Sequence, residues 1–134
     1  VNTIPGRVEL ELELRAIREE TLERAYTRLT EEFADCIASI APTMVQRAYP
    51  MDETVRAAIW QAADALGLKT MDIASGAAHD TMALAQITRA GMIFVPSVNG
   101  ISHSEKEWTN WQDAANGAEV LLHTLLLLDE KNPE

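Results

Sequence analysis

The chain has 134 residues, 47% of them hydrophobic, which fits one or two small packed units and excludes a disordered tail. Eleven Lys and Arg against twenty-one Asp and Glu leave a formal charge of −10, the wrong sign for neutralising a phosphate backbone or lying on an anionic membrane surface. The single cysteine, Cys36, excludes an internal disulfide and a Cys-based zinc site, as expected of a protein in a reducing cytosol.

The chain opens on Val1 and runs directly into Asn2-Thr3-Ile4-Pro5-Gly6, an approach to a strand with no capping element before it, which reads as the start of a fragment. Val8, Leu10, Leu12 and Leu14 then alternate with Glu9, Glu11, Glu13 and Arg15, the pattern of a half-buried strand. Thr21 is placed to cap a helix whose apolar positions are Leu22, Tyr26, Leu29, Phe33, Cys36 or Ile37, and Ile40. On that stripe Cys36 reads as a core residue. Ala41-Pro42 ends the helix, and Thr43 to Tyr49 is short and β-branched enough for a second strand, closed by Pro50.

Beyond Pro50 the periodicity changes. Asp52 is placed to cap a helix running to about Leu66, with Gly67 at its end. Thr70 to Ser75 reads as a strand, Gly76-Ala77-Ala78 as a turn, and the residues through Ile87 as a short helix. Met92-Ile93-Phe94-Val95-Pro96 is almost wholly apolar, as in a strand buried on both faces of a parallel sheet. A loop from Ser97 to Ser104 follows, then a helix from about Asn110 to Asp129 expected to bury Leu121, Leu122, Leu125 and Leu128. Its apolar run is about half of the roughly 20 residues needed to span a membrane, and no basic, apolar leader opens the sequence. Neither insertion nor export is signalled.

The alternation predicts an α/β chain in two parts: residues 1–50, a β-α-β piece, and residues 51–134, part of an α/β layer. Two strands make a marginal sheet, and a parallel sheet this small cannot cover both its faces. Each part should therefore need missing sequence, another copy of the chain, or a rearranged packing to hide its apolar faces.

Chemistry concentrates at three histidines. His123, in Val120-Leu121-Leu122-His123-Thr124-Leu125, reads as structural on its helix face. His103 sits in Asn99-Gly100-Ile101-Ser102-His103-Ser104, just beyond the apolar strand, where α/β sheets gather ligands; a site residue and a loop histidine bonded to backbone are both compatible with that position. His79 follows Ser75-Gly76-Ala77-Ala78 and precedes Asp80, so small residues open backbone room beside an imidazole; a plain capped helix start is the alternative. Glu105, Lys106 and Glu107 read as a solvated face, and Trp108 and Trp111 as packing on the sheet. No Walker loop, GxGxxG, nucleophile elbow or HExxH occurs.

Four blocks in succession, Ser75-Gly76-Ala77-Ala78-His79-Asp80, Gly91 to Ser97, Gly100-Ile101-Ser102-His103-Ser104 and Asn116-Gly117-Ala118, resemble the carboxyl-terminal third of the hydantoinase/carbamoylase group. That group comprises N-carbamoyl-L-amino-acid hydrolases, allantoate amidohydrolases and β-ureidopropionase-like enzymes, within the binuclear-metal peptidase and amidase superfamily. Asn2 to Gly6 and the alternating segment ending in Leu14-Arg15 resemble the group's lid, or dimerisation, domain. The resemblance implies a partial α+β lid over 1–50 and the carboxyl-terminal part of a metal-dependent α/β catalytic domain over 51–134. This chain has Ala78 where the family usually has Gly, and Glu13 where it commonly has Asp.

By the same resemblance the intact enzyme hydrolyses a carbamoyl or ureido C–N bond with two divalent ions, zinc or manganese, with cobalt or nickel as alternatives; this chain alone is expected to bind none. His103 would be a metal ligand. Gly76, Ala77 and His79 would line the substrate site, and Asn2 and Arg15 would reach it from the lid, Arg15 forking onto the substrate's carboxylate. The general base belongs to sequence that this chain does not contain, so no catalytic residue is assigned and the isolated chain is expected to be inactive. Expected partners are a small-molecule carboxylate substrate and a second copy of the chain in a homodimer or higher homo-oligomer. The alternatives are an aminoacylase or dipeptidase of the same superfamily, or a noncatalytic self-association module.

Overall fold

The computed structural model describes residues 4–36, 39–41 and 45–130 and divides into two compact units, Val1–Ala48 and Tyr49–Glu134. The regular element of the first is α1, Glu19–Glu32. Its cap position is Arg18, three residues before Thr21, and the Arg18 side chain makes no capping bond; the acidic pair Glu19 and Glu20 in the first turn favours that start instead, through the helix dipole. It also ends earlier than the apolar pattern predicts. Phe33 closes it, with its N–H on the Leu29 carbonyl at 3.2 Å, and Cys36 is exposed rather than in a core.

None of the residues of α1 is buried, and Leu10 ahead of it is 89% exposed. The expected strand over 7–15 is absent, because a strand is a pairing relationship and this segment meets no ladder partner among the described residues. The β-α-β piece expected for 1–50 is thus not seen among the described residues, which form one amphipathic helix with irregular flanks. Of its second strand, Thr43 and Met44 lie outside the described residues, as does Asn2; residues 45–49 are irregular.

The second unit is built on α2, Glu53–Ala65, packed against α4, Trp111–Glu130. Asp52 caps α2 as its position predicts, its Oδ1 accepting the N–H groups of Thr54 at 2.9 Å and Val55 at 3.1 Å. The helix stops in a left-handed turn: Gly67 has φ +70°, its N–H donates to the Asp64 carbonyl and that of Leu68 to the Ala63 carbonyl, both at 2.9 Å. These two bonds satisfy carbonyls in the last turn of the helix, where no further helical N–H follows. The core is small: Ala62, Ala63 and Val120 are buried, with Ile59, Leu66, Leu68, Ile93 and Leu127 packed around them. Alanines on α2 let the two helix backbones approach closely.

The buried face of α4 is not the one expected. Val120 and Thr124 are buried, whereas Leu121, Leu122 and Leu125 are all more than half exposed. The small residues decide this: Gly117 and Val120 fit against α2 and the 92–96 segment, and the Thr124 hydroxyl is made harmless in the core by donating to the Val120 carbonyl at 2.7 Å. Among the described residues no strand forms, so 70–75 and 92–96 run as irregular segments, and Phe94 and Val95 are part-exposed rather than buried on two faces. Gly91 and Gly117 hold the second of these in place. A Cβ on Gly91 would meet Val55 Cγ1 at 2.5 Å, and one on Gly117 would collide with Val95 Cγ1.

Candidate functional site

The turn before α3 (Asp80–Leu84) gathers three polar groups on one hydroxyl. Ser75 Oγ donates to the Ala77 carbonyl at 2.9 Å and accepts the Ala77 N–H at 3.2 Å. His79 Nε2 lies 2.8 Å from the same oxygen. The imidazole also meets Phe94 edge-on, ring centroids 5.9 Å apart at 71°, so the turn is tied to the 92–96 segment. Of the residues expected to face a substrate, Ala77 thus already spends its N–H inside the turn. That bond is the longest of the three, hence the one a ligand oxygen most easily replaces.

His103 lies in a loop closed at its base by the Val98 N–H on the Trp108 carbonyl at 2.8 Å. A 3₁₀ turn over Val98–Gly100 opens it, with the Ser97 hydroxyl donating to the Ile101 carbonyl. His103 has φ +54°, a conformation that costs a non-glycine residue free energy and tends to persist where surrounding structure demands it. The demand here is explicit: its backbone N–H donates to Glu107 Oε2 at 2.7 Å, a charge-assisted bond.

Glu107 stays on the exposed face expected of it, and from there also holds the loop. The signal available in sequence is its spacing, four residues after His103, which allows a side chain to reach back across a tight turn. Ser104 supports the same loop by accepting the Lys106 N–H at 3.3 Å. Trp108 and Trp111 pack edge to face on each other, centroids 6.1 Å apart, and both remain more than half exposed rather than lying on a sheet.

His123 lies on its helix face beside a carboxylate: Glu119, one turn earlier, puts Oε2 3.9 Å from Nε2. In the first unit, Arg15 presents the fork expected of it, but to its own neighbour. Nε and a terminal nitrogen donate to the two Glu13 oxygens at 2.8 Å each. The bond to Arg15 lowers the Glu13 pKa from its ordinary value, and the same bond raises that of Arg15. A hollow of about 330 Å³ lined by Pro50, Asp52, Ala85, Thr88, Arg89 and Ala90 contains none of these groups.

A divalent-ion centre needs several converging ligands. Among the described residues no three His, Cys, Asp or Glu converge on one point, and His103 is the one imidazole of its loop. These residues do not by themselves fit a metal pair.

A family model for peptidase family M20/M25/M40 matches residues 13–127. The chain belongs to that family. Among its M20/M25/M40 relatives, an N-carbamoyl-L-amino acid amidohydrolase of Geobacillus stearothermophilus is 39% identical over 132 residues, covering 93% of this chain and 32% of that protein. An N-carbamoyl-L-amino-acid amidohydrolase of Paenarthrobacter aurescens is 37% identical, with 96% and 32% covered, and an allantoate amidohydrolase of Bacillus subtilis is 32% identical, with 95% and 32% covered. The resemblance to the hydantoinase/carbamoylase group is thus supported by relatives bearing those names, and the chain spans about a third of their length. A crystal structure of a provisionally assigned amidohydrolase/peptidase from Burkholderia cenocepacia superposes with a TM-score of 0.63 at 34% identity, over 81% of this chain and 26% of that one. No helix among the described residues is long and apolar enough to cross a membrane.

Proposed function

We propose that this chain forms the carboxyl-terminal part of a hydrolase that cleaves the carbamoyl or ureido C–N bond of N-carbamoyl-L-amino acids or allantoate-like substrates. The observation that carries the reading is the 39% identity to the Geobacillus stearothermophilus amidohydrolase over 132 residues, which covers 93% of this chain. In that role Gly76, Ala77 and His79 line the substrate, Asn2 and Arg15 bind its polar end and carboxylate, and His103 is a ligand to one of two divalent ions. The remaining ligands and the general base come from outside this chain, so no step of the reaction is assigned through the metal here.

Support for the His103 assignment is its costly left-handed backbone, held by Glu107, at the tip of a loop that is closed at its base. Support for Arg15 is that it already grips a carboxylate with two parallel bonds. Self-association as a homodimer follows from the apolar side chains that the isolated chain leaves in water, among them Ile4, Leu10 and Val45, each more than 80% exposed; a monomer by light scattering at micromolar concentration contradicts it.

A chimera tests the function. Residues 13–127 replace the matching third of the Geobacillus stearothermophilus protein, and hydrolysis is measured on N-carbamoyl-amino acids, N-acyl-amino acids and dipeptides. Carbamoyl hydrolysis that His103→Ala abolishes together with one bound ion supports the proposal. Selective cleavage of acyl-amino acids or dipeptides favours an aminoacylase or dipeptidase, and full activity with two ions in His103→Ala overturns the ligand assignment.

A further inference from the structure

The Ser75 hydroxyl carries one proton and two lone pairs, yet three polar groups lie within bonding distance of it. Ala77 offers both its carbonyl at 2.9 Å and its N–H at 3.2 Å, and His79 Nε2 stands at 2.8 Å. One arrangement satisfies all three: the hydroxyl proton goes to the Ala77 carbonyl, and the lone pairs receive the Ala77 N–H and an Nε2–H. The opposite arrangement, with the hydroxyl donating to a bare Nε2, leaves the Ala77 carbonyl without this bond. Counting donors therefore favours the Nε2–H form of the neutral imidazole, with the lone pair on Nδ1.

Phe94 completes the restraint. Its ring meets the imidazole edge-on at a centroid distance of 5.9 Å, a second contact that restrains the ring. Nδ1 itself has no bonding partner among the described residues, and His79 is only half-buried. A lone pair presented this way takes a hydrogen-bond donor and repels a carboxylate oxygen. We infer that Ser75 is a positioning residue that locks His79 in the Nε2–H form, so that Nδ1 accepts an N–H from a ureido- or carbamoyl-type ligand.

The ligand half of this inference rests on His79 lining the substrate site, as proposed above; the tautomer half rests on the turn alone. Both are read by NMR on the full chain, without turnover. In nitrogen-15 spectra at a pH where the imidazole is neutral, His79 should show a protonated Nε2 whose ring proton exchanges slowly enough to be seen. Ser75→Ala should abolish that proton signal and give averaged nitrogens, and Ser75→Thr should restore it.

A protonated Nδ1 in the unaltered chain overturns the inference with no variant needed, as does an Nε2–H signal that survives unchanged in Ser75→Ala. N-carbamoylglycine should then move the Nδ1 resonance, whereas O-acetylglycolate, the same skeleton with no N–H, should not. Equal movement, or none with either compound, overturns the acceptor role. Loss of carbamoyl hydrolysis in the chimera would remove the functional reading while leaving the Ser75–His79 bond intact, so the two can fail separately.

Discussion

Gly117 sits inside α4 against the segment that leads to the His103 loop, and replacing it by alanine sets two effects of opposite sign against each other. Within a helix, alanine is favoured over glycine by about 0.5–1 kcal/mol, because glycine has more backbone freedom to lose on folding. At this position the new methyl would collide with Val95 Cγ1. Val95 is β-branched and stiff at χ1, so it has few ways to yield, and overpacking of this kind costs about 1–3 kcal/mol. The net expectation for Gly117→Ala is therefore a destabilisation between near zero and about 2.5 kcal/mol.

Urea unfolding followed by far-ultraviolet circular dichroism measures it, and the partner is identified by a double-mutant cycle. With Val95→Ala in place the collision is gone, so Gly117→Ala should then stabilise by the helical preference, about 0.5–1 kcal/mol. Stabilisation by that full amount in the otherwise unaltered chain, or additivity of the two substitutions, would show that the 92–96 segment does not lie against α4.

Three further outcomes are expected. Asp52→Ala removes both bonds that cap α2 and should cost about 0.5–2 kcal/mol in the same unfolding measurement, with Asp52→Ser losing much less. Asp72 receives the Arg56 guanidinium at 2.6 Å and the Trp60 indole N–H at 3.3 Å, and these bonds, Arg56's first, hold its pKa below the ordinary value of 3.8. A carboxyl lowered on folding stabilises fully above the unfolded value and loses that contribution as pH falls through the folded one. The Trp60 indole N–H resonance should accordingly stay constant down to the usual carboxylate range and move only below it; a midpoint at or above 3.8 refutes the arrangement. In the chimera, Arg15→Lys should lower kcat/KM on carbamoyl-amino acids about tenfold, since an ammonium does not reproduce a two-pronged grip, and unchanged efficiency would exclude a substrate contact.

Local chemistry was legible in the residues themselves. Asp52 before an apolar-periodic run and Gly67 after it mark both ends of α2, because a side-chain acceptor and a left-handed glycine act within a turn of their own position. Likewise the small residues around Ser75 and the loop bearing His103 could be singled out, and the order of the motif blocks pointed to the family that the comparisons support. What could not be read were relationships between distant residues. The alternating run over 7–15 and the apolar run over 92–96 carry the composition of strands, but a strand exists only by bonding to another, and no ladder forms among the described residues.

The face of α4 was likewise undecidable from periodicity, since leucines occupy more than one side of the helix. Only the fit of Gly117 and Val120 against Val95 and the alanines of α2 selects the buried side. The Glu107 carboxylate on the backbone of His103, and the count of three groups on one Ser75 hydroxyl, depend on how a chain turns back on itself in space. Hydrogen bonds weaken steeply with distance and angle, so the identity of a residue says that it can bond, and the tertiary structure alone decides to what.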